Sequence, residues 1–510
     1  MSLTSFEFVI FVGAAVAGYY LIPKRFQWVW LLAFSYIYYA AASLKILFFL
    51  LFSTATTYLA GLLMDRIKEK QADREQRIKQ KRRVVAAALV LNFGMLAVVK
   101  YTNFAIENIN ALLGSHLSFQ TIILPLGISF YTFQSMGYLL DVYWEKVEAE
   151  RNPFRFALFV SFFPQILQGP IGRFNRLAHQ LYESHDFDWG RMERAFILIL
   201  WGFFKKMVIA DNAAGFVDEV FGNYGSYGGA AIVVAVLGYS VQLYGDFSGG
   251  MDVVRGIAEL FGISLDENFR RPYFAVSITD FWHRWHITLG TWMKDYVFYP
   301  LSLSKMMGRF SKAAKKRFGK SIGRTLPICL ANIIVFLLVG VWHGADWKFI
   351  LYGLYNGLII AFSGLMMQNY RKWKNLCHIN EKAPLWKGFQ IARTFLLVNI
   401  SWYFDRAAGV GEAFDMMRIT LTSFRLSDFW NGSLMLESVD LVALRFVIVG
   451  FGCILLFLVS LLQERGVKIR EAITGRHVLI KYAVYLFLIF VLPALGQPPS
   501  AGGGFIYAQF

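Results

Sequence analysis

Charge is scarce in this chain and cysteine scarcer. Asp, Glu, Lys and Arg together make up 17% of its 510 residues, against about 25% in soluble proteins, too little to solvate the surface of a soluble enzyme this long. The three cysteines, Cys329, Cys377 and Cys453, are scattered, which excludes a disulfide framework and a cysteine-based metal site. No linker and no internal repeat divides the sequence, so it reads as a single domain over 1–477. A last span and an aromatic tail follow over 478–510. Met1 to Glu7 lacks the basic start of a cleaved signal, so Phe8 to Ile22 is expected to stay as the first span.

What is abundant is apolar surface. Hydrophobic residues reach 56%, and phenylalanine alone occurs 49 times, the composition of a polytopic membrane protein. Apolar stretches recur near 6–22, 26–42, 45–63, 84–100, 121–141, 192–210, 230–248, 325–342, 347–367, 388–404, 441–462 and 478–495. The expected fold is therefore all-α, with about 11–12 transmembrane helices. Two further apolar pieces, 154–171 and 281–301, carry Pro, Gly and charge and read as re-entrant or interfacial helices.

The net charge of +17 is concentrated between spans, which points to topology and anionic lipid, not nucleic acid. The basic segments 64–83 and 302–324 are expected in the cytoplasm, the first as a short surface helix. Lys305 to Arg324 holds eight basic residues and no acidic one. With Lys24, Arg371 and Arg465 on the same side, both termini are expected outside the cytoplasm of a bacterial plasma membrane.

One histidine stands in the wrong solvent. His343 lies in Trp342-His-Gly-Ala-Asp-Trp between two apolar runs. An ionisable group there is costly and marks a functional site, and imidazole exchanges a proton near neutral pH. Asp346 is the nearby carboxylate that could orient the ring; the bland alternative is a packing histidine.

Three other segments carry polar groups. Ser277 to Tyr296 holds Asp280, Trp282, His283, Arg284, Trp285 and His286. As one helix, it would place the two histidines only partly together. Their His-x-x-His spacing has no evident third ligand, so no metal is expected, and an interfacial helix is the plainer reading. Tyr244 to Asp252 holds Asp246, Ser248 and three glycines without Gly-Lys-Ser/Thr; it reads as a phosphate cradle or as a close-packing helix, with Asp246 in need of a partner. Phe162 to Arg173 sets Gln168 and Arg173 among Pro164 and Pro170, a piece that must be sheltered by protein or line a watery path.

Together these segments resemble the membrane-bound O-acyltransferase superfamily, in particular its bacterial alginate O-acetyltransferase-like branch. The resemblance rests on Leu124 to Gln134, Gln168-Gly-Pro-Ile-Gly-Arg, Asp246-Phe-Ser-Gly, Asp280-Phe-Trp-His-Arg-Trp-His, Asp295-Tyr-Val-Phe-Tyr-Pro-Leu, Trp342 to Trp347 and Leu351 to Gly357. It implies helices arranged around a central acyl-transfer channel. It also implies His343 as the catalytic histidine, His286 as the second characteristic polar position and His283 at a variable one. The donor it implies is a cytoplasmic thioester, acetyl-CoA or an acyl carrier protein, with no tightly bound cofactor. Asn356, or backbone N–H groups near Gly344, are the candidates for stabilising an oxyanion. The tail, Phe505-Ile-Tyr-Ala-Gln-Phe, is similar to the C-terminal motif of cell-envelope acylation systems. That similarity implies Tyr507 as an acyl shuttle and an extracytoplasmic SGNH-type acyltransferase as partner. Ala508 departs from the aromatic residue of related tails. The alternatives are D-alanyl transfer to teichoic acid from a carrier-protein thioester and, more distantly, a proton-coupled transporter built on His343 and Asp246.

Overall fold

The computed structural model describes residues 3–122, 125, 127–497 and 505, with Leu167 described by its backbone alone. Tyr507, together with Leu124 and Leu126 of the Leu124 to Gln134 motif, lies outside the described residues. Among the described residues the regular structure is helical, with one isolated bridge between Phe269 and Trp285.

The chain opens with α1 (Phe6–Leu21), α2 (Gln27–Ala42), α3 (Leu44–Lys70) and α4 (Arg74–Leu113). Three of these have side-chain caps for first-turn N–H groups: Ser5 accepts from Phe8, Ser43 from Lys45 and Asp73 from Glu75. The basic stretch 64–83 is not a separate surface helix as expected. α3 runs on to Lys70, and Asp73 caps α4, so the charges sit on the projecting ends of two spanning helices. Extending a formed helix costs less than nucleating a new one.

The middle of the chain holds α5 (Ile128–Tyr143), α6 (Pro153–Ser161), α7 (Phe163–Gln168), α8 (Phe174–Tyr182) and α9 (Trp189–Phe203). A π-helical stretch, Phe204–Ala210, joins α9 to α10 (Asp211–Gly222), and α11 (Gly229–Leu260) follows. α6 and α7 cover most of 154–171, the first of the two pieces expected to be re-entrant or interfacial. Phe156, Phe159, Phe162 and Phe163 are buried, and Gln165 donates to Gln134 and to the Pro170 carbonyl at 2.9 and 2.5 Å. Protein groups thus satisfy a broken backbone that lipid could not.

Next come the short helices α12 (Ile278–Arg284), α13 (Ile287–Met293) and α14 (Tyr299–Ser302), then α15 (Lys305–His343), α16 (Trp347–Leu376) and α17 (Pro384–Arg406). The chain continues through α18 (Val410–Thr422), α19 (Val442–Glu464), α20 (Ile469–Thr474) and α21 (Val478–Leu495). Within α15, Gly319 adopts φ 80° inside the basic start, which runs on to Arg324, a conformation open to glycine.

Among the described residues seven helices, α3, α4, α11, α15, α16, α19 and α21, are long and apolar enough to cross a membrane. The other expected spans are the shorter or more polar α1, α2, α5, α9 and α17. α15 and α16 form a tight hairpin. A Cβ at Gly340 would strike the Phe349 carbonyl, and one at Gly353 would strike that of Phe336. This small-residue contact brings the two backbones together and fixes the turn that carries His343.

Candidate active site

His343 is the last residue of α15, where carbonyl groups lose their helical partners. Tyr101 donates to the Val341 carbonyl at 2.5 Å, and the Lys100 ammonium reaches those of Trp342 and His343. A cation at a helix C-terminus also balances the helix dipole. α4 therefore clamps the end of the helix that presents the histidine.

His343 is 3% exposed. Its ring lies edge-on to Trp342 at 5.1 Å and to Tyr352 at 5.0 Å between centroids. Its Nδ1 faces Oδ1 of Asp405, near the end of α17, at 3.7 Å. The other Asp405 oxygen accepts from the Tyr239 hydroxyl of α11 at 2.7 Å. Asp346, the carboxylate expected beside the ring, instead caps α16 by accepting from the Lys348 N–H at 2.9 Å.

His286 sits between α12 and α13 with φ 46°, so Ser277 to Tyr296 is not one helix. The reason is tertiary. Arg270 N–H donates to the Arg284 carbonyl at 2.9 Å and Ile287 N–H to that of Asn268 at 3.0 Å, pulling this point of the chain into strand-like pairing with 268–270. The break separates the two histidines: His283 is exposed and His286 is buried. His286 Nδ1 lies 3.2 Å from Oδ1 of Asn268, which also accepts from the Thr288 N–H and hydroxyl. An amide oxygen only accepts, so Nδ1 is the donor and Nε2 the nitrogen with a lone pair in the neutral ring. His286 lies edge-on to Trp342 at 5.5 Å. The indole thus joins both buried histidines.

The remaining candidates divide. Trp285 is buried, and Trp282 donates to Asn356 Oδ1 at 3.3 Å. Asn356 in turn donates to the Tyr352 carbonyl at 2.9 Å, placing these residues in the wall behind His343. Asp280 and Arg284 pair with each other at 2.9 Å, and Arg284 also meets Glu464 at 3.2 Å, an ion network beside the site. Arg173 pairs with Asp295 at 2.8 Å. Gln168 is fully buried against α11 at Gly250. Asp246 and Ser248 belong to another cluster: Lys206 meets Asp246 at 2.6 Å and Asp211 at 2.8 Å, while Lys205 meets Asp252 at 2.8 Å and Ser248 at 2.9 Å. The glycines there serve packing, since a Cβ at Gly249 would press on the Gly202 carbonyl.

A cavity of about 840 Å³ opens among α9, α11, α19, α20, α21 and the 262–271 loop. Arg194, Arg255, Arg270, Arg271, Lys468 and Arg470 line it in excess over the carboxylates Asp252, Glu259, Glu267 and Glu471, which pair with Arg255, Arg470, Arg270 and Lys468, and Asn268, the partner of His286, lines it too.

Sequence reasoning passed over Asp405, Asn268, Tyr239, Lys100 and the lysine pair. Lys205 and Lys206 carried a usable signal, because two adjacent cations inside an expected span require carboxylates on neighbouring helices. Asp405 carried none, since a carboxylate at the end of an apolar run reads as interfacial.

A helical membrane protein with two histidines buried against one indole, beside a cation-lined cavity, has the attributes of a membrane-embedded transferase. The sequence comparisons agree. The model of MBOAT, the membrane-bound O-acyltransferase family, matches residues 149–314 and 316–402. A probable alginate O-acetylase, AlgI, of Azotobacter vinelandii is 31% identical over 86% of this chain and 82% of its own length. The peptidoglycan O-acetyltransferase of Helicobacter pylori is 32% identical over 80% of this chain and 76% of its own. The teichoic acid D-alanyltransferase of Bacillus subtilis is 29% identical over 49% and 61%. The chain belongs to the membrane-bound O-acyltransferase family and is a multi-pass membrane O-acyltransferase.

Proposed function

We propose that this enzyme takes an acetyl group from a cytoplasmic thioester and delivers it across the membrane for O-acetylation of a cell-envelope or secreted polysaccharide. The observation that carries the reading is the shared Trp342 contact of His343 and His286, with Asn268 linking His286 to the cation-lined cavity. Acetyl-CoA brings phosphates that suit those arginines and lysines. A carrier-protein thioester would bring one phosphate and an acidic surface.

A thioester is already activated, so the protein must supply a base, an oriented acceptor and a dry site. Nε2 of His343 takes the proton of the acceptor hydroxyl as its oxygen attacks the thioester carbonyl carbon. The tetrahedral oxyanion collapses, the carbon–sulfur bond breaks, and the imidazolium returns the proton to the departing sulfur. The products are an ester and a free thiol.

Tyr507 is the proposed first acceptor. Phe505, two residues before it, is 2% exposed and lies beneath the Lys206 ammonium at 5.0 Å. Ahead of it, Gln497 N–H donates to the Met207 carbonyl at 3.1 Å, and Asn212 donates to that of Leu495 at 2.9 Å. These contacts anchor the approach to the tail on the π-helical stretch and the start of α10. An extracytoplasmic SGNH-type transferase would collect the acyl group from Tyr507. D-alanyl transfer is the second reading, favoured only by the Bacillus subtilis relative, whose similarity covers 49% of this chain.

The test is alkali-labile ester on envelope polysaccharide from cells carrying Tyr507→Phe as their only copy. The proposal expects loss of ester at normal protein level. Wild-type ester would remove Tyr507 from the pathway and leave His343 as the base toward another hydroxyl.

A further inference from the structure

We infer that Asp405 is the positioning residue that sets the working tautomer of His343. The inference rests on the proposed role of His343 and adds a residue to it.

Asp405 is 5% exposed, and its Oδ1 is buried without a hydrogen-bond partner among the described residues. A buried carboxylate oxygen left in that state is costly and calls for an explanation. The group it faces is His343 Nδ1, at 3.7 Å. That is ion-pair range, one small side-chain adjustment from a hydrogen bond, and catalytic hydrogen bonds are often long before substrate binds. The carboxylate is not loose, because Tyr239 holds its other oxygen at 2.7 Å. Lys348 of α16 stands over the same end of α17 and donates to the Ala407 carbonyl at 2.5 Å. Four helices thus meet at this point: α11 braces the carboxylate, α17 carries it, α16 holds the end of α17 through Lys348 and α15 presents the imidazole.

An ionised carboxylate only accepts, so it selects the ring form with the hydrogen on Nδ1 and the lone pair on Nε2. That is the form able to take a proton from a hydroxyl. When Nε2 has taken it, the same carboxylate offsets the imidazolium charge in a site with little water. Asp405 itself neither gains nor loses a proton in this account.

Asp405→Asn separates this role from simple packing. The amide has the same shape, and its oxygen can still accept from Tyr239. Turned that way, its NH₂ faces Nδ1 and favours the opposite tautomer, with the hydrogen on Nε2, which cannot act as base. Asp405→Glu restores the charge. The readout is alkali-labile ester on envelope polysaccharide in cells carrying each variant as the only copy, identified by mass whichever acyl group is present. Thermal unfolding of the purified full-length proteins is measured alongside. The inference expects D405N to lose ester by about 10²-fold, D405E to stay within about tenfold of wild type, and both to unfold at the wild-type temperature. Ester from D405N within twofold of wild type would overturn it while leaving His343 in place, as would a D405E no more active than D405N. Wild-type ester from His343→Ala would instead remove the base on which both readings stand.

Discussion

Two of the polar clusters buried among the described residues are finished to different degrees. In the first, Lys205 and Lys206 sit on the π-helical stretch with carboxylates of Asp252, Asp246 and Asp211 all within 2.8 Å. In the second, Asp405 Oδ1 stops 3.7 Å from His343 Nδ1 and accepts no hydrogen bond among the described residues. The first arrangement has the closed geometry of a group that holds helices together. The second leaves one carboxylate oxygen with unused acceptor capacity facing an imidazole. Burial alone does not separate them; the completeness of the hydrogen bonding does.

Variants of each cluster should therefore fail in different ways. His343→Ala should cost about 10³-fold in acyl transfer, the range for removing a general base, with unchanged thermal unfolding in detergent. A large drop in its unfolding temperature would move His343 into the structural class. Lys206→Met should do the reverse. It leaves Asp246 and Asp211 without their shared lysine, and breaking such a buried pair costs about 3–5 kcal/mol of stability. Whatever protein survives should turn over within about tenfold of the wild-type rate per folded molecule, the loss being that of the ammonium contact to Phe505 in the tail. A stable but inactive K206M would break the distinction and make the lysine part of the chemistry.

Smaller effects sharpen the boundary of the site. Arg194→Gln should raise the KM for acetyl-CoA about tenfold with kcat unchanged, the scale of one hydrogen bond to a charged group. An unchanged KM would detach the cavity from the donor. His283→Ala should stay within about twofold of wild type, because an exposed side chain outside such features rarely matters. Any larger loss would mean that the exposed face of α12 takes part.

The apolar runs and His343 were legible in the sequence, and the residues that were not share a cause. Apolar runs marked the spans because lipid demands length and hydrophobicity from each segment by itself. His343 stood out for the same local reason. His286 and Asp405 depended on partners far away in sequence. The break at His286 comes from pairing with 268–270, and a helical wheel drawn over Ser277 to Tyr296 contains no trace of it. Asp346 drew attention because it is three residues from His343, yet proximity in sequence served helix capping. Asp405 reaches the ring only because α17 packs against α11 and against α16, the helix paired with α15.

The most direct measurement is peptide mass spectrometry of the purified full-length protein after incubation with isotopically labelled acetyl-CoA. The account predicts label on the C-terminal peptide at Tyr507 in the wild type and none in His343→Ala. Equal labelling of both proteins would contradict it, because the acyl group would then reach the tail without the histidine.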